Sequence, residues 1–157
     1  MTQSNAVMSA WKRMSGMPGG KWAFSRLICW KAPYFSSILP MFEEVRPGYC
    51  EVRMKKRRRV LNHIGTVHAI AMCNMVELAG GTMTDVMIPS THRWIPKGMT
   101  VAYLEKAETD LRAVAEIDSV PEFDAATEFP VTVNVMDTNH TTVLRAVIQM
   151  WVSPKKR

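Results

Sequence analysis

From residue 41 onward, apolar residues recur at every second position, which is the period of a half-buried β-strand. Cys50, Val52 and Met54 alternate with charged residues, and a turn precedes them at 46–48. The same period predicts four later strands, at 99–104, at 111–118, around 131–135 and at 142–152. The polar segment 137–140 has turn chemistry, so we expect it to join the last two strands as a hairpin.

One long apolar stretch, 66–82, interrupts these strands and predicts a helix. At about 100° per residue, Ile70, Asn74, Glu77 and Gly81 share one face. Met72, Met75 and Ala79 line the other face, so we expect the helix to be buried all round. A segregated helix among consecutive strands indicates an α+β fold, with an antiparallel sheet curled around that helix.

Residues 1–39 differ from the rest of the chain. Glycine and proline break the segment at 16–20, and 21–30 then predicts a short helix rich in aromatic residues. Pro33 suits a first helical turn, and Pro40 ends the segment. We therefore expect a helical extension at 1–39, a core domain at 40–154 and a basic tail at 155–157.

Composition and cysteine content narrow the class of protein. The 157 residues are 47% apolar and 22% charged, which is typical of one soluble globular domain. The three cysteines are an odd number without metal-ligand spacing, so we predict free thiols in a reducing cytoplasm and no metal. The most apolar segment, 67–79, contains His68, Asn74 and Glu77, and we expect no membrane partner.

The charge of +6 suggests nucleic-acid binding, but its distribution does not. Eight of the 20 cations lie in two short blocks, 55–59 and 155–157. The remaining 12 cations face 14 acidic residues, so a broad basic surface is not expected. We therefore predict no nucleic-acid partner.

Glu77 is the candidate for chemistry within the predicted helix. A carboxylate in apolar surroundings has a raised pKa unless it is paired, and this suits a base or nucleophile. The alternative is that Asn74 and Glu77 form the polar stripe of an amphipathic helix.

The spacing of Asn62, Gly65, His68 and Glu77 resembles that of hotdog-fold acyl-CoA thioesterases of the phenylacetate-pathway type. Their pattern is Asn-x-x-Gly-x-x-His-Gly-Gly, ending in Asp or Glu on the central helix. The segment 99–107 is similar to the first long strand after that helix. The resemblance covers about 41–153 and is closest to an uncharacterised bacterial branch of the superfamily.

The resemblance implies a mechanism at a dimer interface. The backbone N–H of Ala69 would bind the thioester oxygen, assisted by the Asn62 side chain. Glu77 of the partner subunit would attack the carbonyl or activate water, and His68 would tie the loop to the helix. We expect a homodimer or a dimer of dimers acting on an acyl-CoA or acyl-carrier thioester. Coenzyme A enters only as part of the substrate.

Further residues are assigned to substrate binding. Gly65, Ile70 and Asn74 lie in or beside the matched motif, and Trp94 falls in a predicted loop, 89–98, where such proteins often line the acyl tunnel. If the strand alternation continues through 55–59, Arg57 and Arg59 face outward. We then expect them to bind the phosphates of coenzyme A, the alternative being a solvated strand end.

The sequence departs from the family pattern at two positions. Ala69 and Ile70 replace Gly-Gly, and Pro96 stands where relatives often have a hydroxyl that orients water. Because both changes disfavour efficient hydrolysis, one alternative function is a non-catalytic acyl-CoA or lipid binder. A second alternative is an enoyl-thioester hydratase or dehydratase, because His63 and Glu77 have the spacing of such enzymes.

Overall fold

The computed structural model describes residues 5–156, and these form three α-helices and six β-strands. The helices are α1 (Ala6–Met14), α2 (Gly20–Lys31) and α3 (Ala69–Met87). The strands are β1 (Met41–Arg46), β2 (Tyr49–Met54), β3 (His92–Tyr103), β4 (Leu111–Glu116), β5 (Thr127–Met136) and β6 (Thr142–Pro154). Short 3₁₀ helices occupy Pro33–Ile38 and Arg58–Val60.

All six strands belong to one antiparallel sheet in the order β1-β2-β4-β5-β6-β3, curled around α3. The core lies between the sheet and the helix, where Met75, Met83, Val133 and Ile148 are buried. This confirms the predicted α+β architecture. The hairpin predicted at 137–140 also forms, between β5 and β6.

The N-terminal extension packs against this core through aromatic side chains. Trp11 of α1 stacks edge-to-face on Phe24 of α2 at 5.0 Å, and Phe24 stacks on Phe42 of β1 at 5.2 Å. The Ser25 hydroxyl also accepts a hydrogen bond from the Phe42 N–H at 2.9 Å. The predicted helix at 21–30 is found as α2, whereas α1 was not predicted.

The central helix differs from the prediction in position and exposure. It begins at Ala69 rather than at Thr66, and it continues to Met87. The expectation that it is buried all round is wrong, because Ile70 is 54% exposed and Glu77 is exposed. The sheet covers the face that carries Met72, Met75 and Ala79, but part of the opposite face stays open in the single chain.

Two segments also differ from the sequence-based expectation. The loop expected at 89–98 is strand from His92 onward, so Trp94 and Pro96 lie in β3. Proline is tolerated there because β3 is an edge strand with an irregular register between Pro96 and Gly98. The strand alternation expected through 55–59 is wrong, because β2 ends at Met54 and a 3₁₀ turn follows.

Candidate active site

The loop before α3 is shaped by two residues of the matched motif. The Asn62 carboxamide oxygen accepts the N–H groups of Ile64 and Thr66, both at 3.1 Å, and its nitrogen donates to the Thr66 hydroxyl at 2.7 Å. Gly65 has φ of +81°, a conformation that residues with a Cβ rarely adopt. Asn62 therefore holds the loop, and Gly65 allows it to turn.

The third motif residue, His68, caps the helix. Its Nδ1 accepts the Ile70 N–H at 3.0 Å, and its own backbone N–H donates to the Val60 carbonyl at 2.8 Å. With Nδ1 as the acceptor, the proton of a neutral ring is on Nε2. Ala69 is the first residue of α3, so its N–H has no acceptor within the helix. That N–H lies at the positive end of the helix dipole, which favours a developing negative charge.

A depression of about 220 Å³, the polar groove, lies beside this helix start. Its polar lining residues are Tyr34, Ser37, Arg59, His68 and Asn74, and its apolar ones are Ile38, Val60, Leu61, Ile70 and Ala71. Asn74 is only 8% exposed, and its amide nitrogen donates to the Ser37 hydroxyl at 3.0 Å. Its carbonyl oxygen is buried and accepts no hydrogen bond within residues 5–156. The Asn74 oxygen is therefore unsatisfied but covered, while the exposed cation of Arg59 lines the groove.

Arg57 is separated from Arg59. Its guanidinium turns inward and donates to the Ile38 carbonyl. Burial, together with the charges of Arg59 and Arg26, lowers the pKa of Arg57. The structure therefore keeps Arg59 beside the groove and gives Arg57 a contact to the N-terminal extension.

A second depression, the apolar cavity, has a volume of about 270 Å³ and lies between α3, the extension and β3. Glu77 and Trp94 both line it, so two predicted site residues meet here. Glu77 is exposed, and its carboxylate forms no hydrogen bond or ion pair with any residue in 5–156. Pro96 lines the same cavity.

Asp85 lies two turns beyond Glu77 and lines the same cavity, but its carboxylate is fully engaged. One oxygen accepts the Trp94 indole N–H at 3.0 Å, and the other accepts the Asn5 amide at 3.1 Å. The same Asn5 amide donates to the Asp85 carbonyl at 2.7 Å. Sequence reasoning missed both residues. The i, i+8 spacing from Glu77 could have indicated Asp85, but nothing local indicates a partner 80 residues away.

The open face of α3 continues onto the edge strand β3, and we call this surface the open seam. Met99 and Tyr103 of β3 stand opposite Ile148 and Leu144 of β6, which are buried, so they face inward. They are nevertheless 38% and 57% exposed. Cys73 of α3 reaches this strand, with its Sγ 4.0 Å from the Tyr103 hydroxyl. Nothing within residues 5–156 pairs with the outer edge of β3.

The described part of the chain offers neither a metal site nor a membrane span. No three His, Cys, Asp or Glu side chains in 5–156 are placed to hold a metal ion. None of the helices there is long and apolar enough to cross a membrane.

Solved structures share this fold, which is the hotdog fold. PA5026 from Pseudomonas aeruginosa, described as a protein of unknown function and probable thioesterase, is 22% identical with a TM-score of 0.77. That match covers 88% of this chain and 97% of PA5026. The thioesterase HI1161 from Haemophilus influenzae is 10% identical with a TM-score of 0.71, covering 82% and 87% of the two chains. The hotdog architecture implied by the sequence is thus confirmed.

Within that fold, a family model described as a domain of unknown function (DUF4442) matches residues 20–152, and the chain belongs to this family. The structural-genomics protein APC5556 is 50% identical to the chain with a TM-score of 0.83. The match covers 95% of this chain and 98% of APC5556. No curated protein matches the chain.

Proposed function

We propose that the protein hydrolyses thioesters of coenzyme A or of an acyl carrier. The observation that carries this proposal is the exposed carboxylate of Glu77 beside the apolar cavity, which pairs with no residue within 5–156. A free carboxylate beside an apolar cavity suits general-base attack on a bound acyl group. The thioesterases that share the fold at low identity support the same class of reaction.

The two depressions correspond to the two halves of such a substrate. The apolar cavity suits an acyl group, while the polar groove suits a pantetheine arm, whose amide N–H groups are hydrogen-bond donors. Tyr34 and Ser37 offer hydroxyl oxygens to the groove, and Arg59 offers a cation for phosphate. Three free cysteines fit a reducing cytoplasm, where we place the protein.

The reaction needs residues from two chains. Ala69 and Glu77 lie eight residues apart on α3, which corresponds to about 12 Å along the helix axis. A base and an oxyanion donor must both lie about 3 Å from the reacting atoms. One chain therefore does not supply both groups to one carbonyl, but Ala69 of one copy and Glu77 of a second copy can.

The open seam supports a second copy at this position. It combines an unpaired strand edge with exposed apolar side chains that face inward, and both are covered when two sheets meet edge to edge. Glu77 and Ile70, exposed in one chain, lie on the same side of α3. We propose a homodimer at minimum, with two sites related by the two-fold axis.

In this site, Glu77 of one copy removes a proton from water as the water oxygen bonds to the thioester carbon. The Ala69 N–H of the other copy binds the resulting oxyanion. The C–S bond then breaks, the thiolate takes up the proton, and a carboxylic acid and a free thiol are released. No cofactor is proposed beyond the coenzyme A that the substrate carries.

A panel of short-chain, medium-chain, long-chain and aryl acyl-CoA esters tests this proposal. We expect hydrolysis of at least one ester, and we expect Glu77→Gln to reduce it by at least about a hundredfold. Glu105→Gln, which changes an exposed carboxylate outside both depressions, serves as the matched control and should have no effect. Full activity of Glu77→Gln would contradict the mechanism.

Two alternatives have specific support. Pro96 in the cavity wall lacks a hydroxyl, and Ile70 stands over the helix start, both of which favour a non-catalytic acyl binder. Ester binding without turnover in wild type would identify that role.

The second alternative is an enoyl-thioester hydratase, and it is supported by the exposed His63 on the loop before α3. Hydration of a 2-enoyl thioester by the purified protein would reveal this activity.

A further inference from the structure

We infer that the N-terminal extension supplies one wall of an acyl site in the apolar cavity and that Trp94, held in the facing wall, limits this site to acyl groups of medium length or with one aromatic ring. This inference rests on the proposed function, because it names the substrate class of the same site.

The extension supplies much of the apolar wall. Val7 of α1, Ile28 and Ala32 around α2, and Phe35 of the following 3₁₀ helix all line the cavity. They stand across from Leu78 of α3 and from Trp94 and Pro96 of β3. Without residues from the extension, the space over α3 would lack this wall and would be an open groove on the core domain.

Trp94 is held in the wall from two directions. Its indole N–H donates to the Asp85 carboxylate, which in turn binds the Asn5 side chain at the start of α1. On the helix side, Gly81 lets the ring approach closely, since a Cβ at this position would lie 2.8 Å from the Trp94 Cη2. The ring therefore has little freedom to move away from a longer acyl chain.

The volume of the cavity sets the size of the group. A protein cavity of about 150 Å³ is sufficient to bind benzene, which has six carbons. The 270 Å³ here scales to roughly ten carbon atoms. Longer acyl chains would have to displace Trp94 or leave the cavity.

The inference is tested by the dependence of kcat/KM on acyl length for saturated acyl-CoA esters. We expect wild-type activity to be highest at or below about ten carbons and to fall for palmitoyl-CoA. Trp94→Ala should raise the ratio of palmitoyl-CoA to decanoyl-CoA activity at least tenfold. Trp22→Ala removes an exposed tryptophan of the extension that lies outside the cavity, and it should leave the ratio unchanged.

A second variant acts in the opposite direction. Ala32→Phe fills the cavity from the side of the extension and should shift the preference toward shorter esters by a similar factor. It keeps the inference testable if Trp94→Ala does not fold. An unchanged length profile in the folded variants would overturn the inference while leaving the hydrolase proposal intact.

Binding separates the two proposals if wild type hydrolyses none of the esters. In that case calorimetry with decanoyl-CoA and palmitoyl-CoA replaces the assay. Decanoyl-CoA binding at least tenfold tighter than palmitoyl-CoA binding, with the difference lost in Trp94→Ala, would support the pocket without the reaction. Equal binding of the two esters, or no binding of either, would overturn the pocket as well.

Discussion

The indole N–H of Trp94 donates to the carboxylate of Asp85 across 3.0 Å, and this bond ties the edge strand β3 to the central helix α3. Asp85 also holds Asn5, so one carboxylate beside the apolar cavity joins α3, β3 and the start of α1. Glu77 lines the same cavity about two turns earlier and has no such partner within residues 5–156. The helix therefore carries one carboxylate that is hydrogen-bonded through both oxygens and one that these residues leave unpaired.

This difference predicts opposite effects on stability. Asp85→Ala should lower the free energy of unfolding by about 1–3 kcal/mol, because the Trp94 indole and the Asn5 amide lose their acceptor. Glu77→Gln should change it by no more than about 0.5 kcal/mol, because no residue within 5–156 pairs with the carboxylate and glutamine keeps its shape. Urea unfolding of the two variants beside wild type measures both values. A larger loss for Glu77→Gln than for Asp85→Ala would refute this division of roles.

The role of His68 is predicted to be capping. His68→Ala should destabilise the protein by about 1 kcal/mol, since it leaves the Ile70 N–H without its acceptor. His68→Asn should recover most of that stability, because asparagine is also a good N-cap residue. The activity of His68→Asn should stay within a few-fold of wild type. If His68→Asn is stable but as inactive as Glu77→Gln, the imidazole transfers a proton and capping is not its main role.

The two arginines are predicted to differ. Arg59→Ala should raise KM for a CoA ester about tenfold, which corresponds to about 1.4 kcal/mol, and should leave KM for a truncated pantetheine thioester unchanged. Arg57→Ala should instead lower the midpoint of thermal unfolding, because its guanidinium binds the Ile38 carbonyl. Steady-state kinetics on both substrates, with Arg13→Ala as an exposed control on α1, would separate the two roles. Equal KM effects on both substrates would show that Arg59 does not contact phosphate.

Local patterns predicted the sheet and the helix because each strand has one buried face and the hydrophobic period follows it. The same patterns failed where a contact far along the chain decides the outcome. Trp94 and Pro96 were expected in the loop 89–98, but they lie in β3, which tolerates a proline because it is an edge strand. Arg57 was expected to face outward, but the carbonyl of Ile38, 19 residues earlier, draws it inward.

Local sequence patterns were limited in the same way for the site residues. The motif spacing located the helix start, and the structure explains Asn62, Gly65 and His68 as residues that shape it. Glu77 was expected to be buried because the helix is apolar on both faces. In the single chain it is exposed, since the surface that we propose to cover it belongs to a second copy.

The most direct test of the two-chain site uses two variants in one dimer. Ala69→Pro removes the proposed oxyanion N–H, and proline is well tolerated at the first position of a helix. His68 before it has φ of −64° and ψ of 136°, which is compatible with a following proline. Each variant alone, Ala69→Pro or Glu77→Gln, is expected to be at least about a hundredfold less active than wild type.

Hybrid dimers of the two variants, co-expressed with different tags and purified through both, contain one chain of each kind. If Ala69 and Glu77 act across the interface, one of the two sites in each hybrid is intact. The hybrid should then show about half of the wild-type rate per dimer. A hybrid as inactive as its parents, or a wild-type protein that sediments as a monomer of 17.8 kDa, would contradict the account.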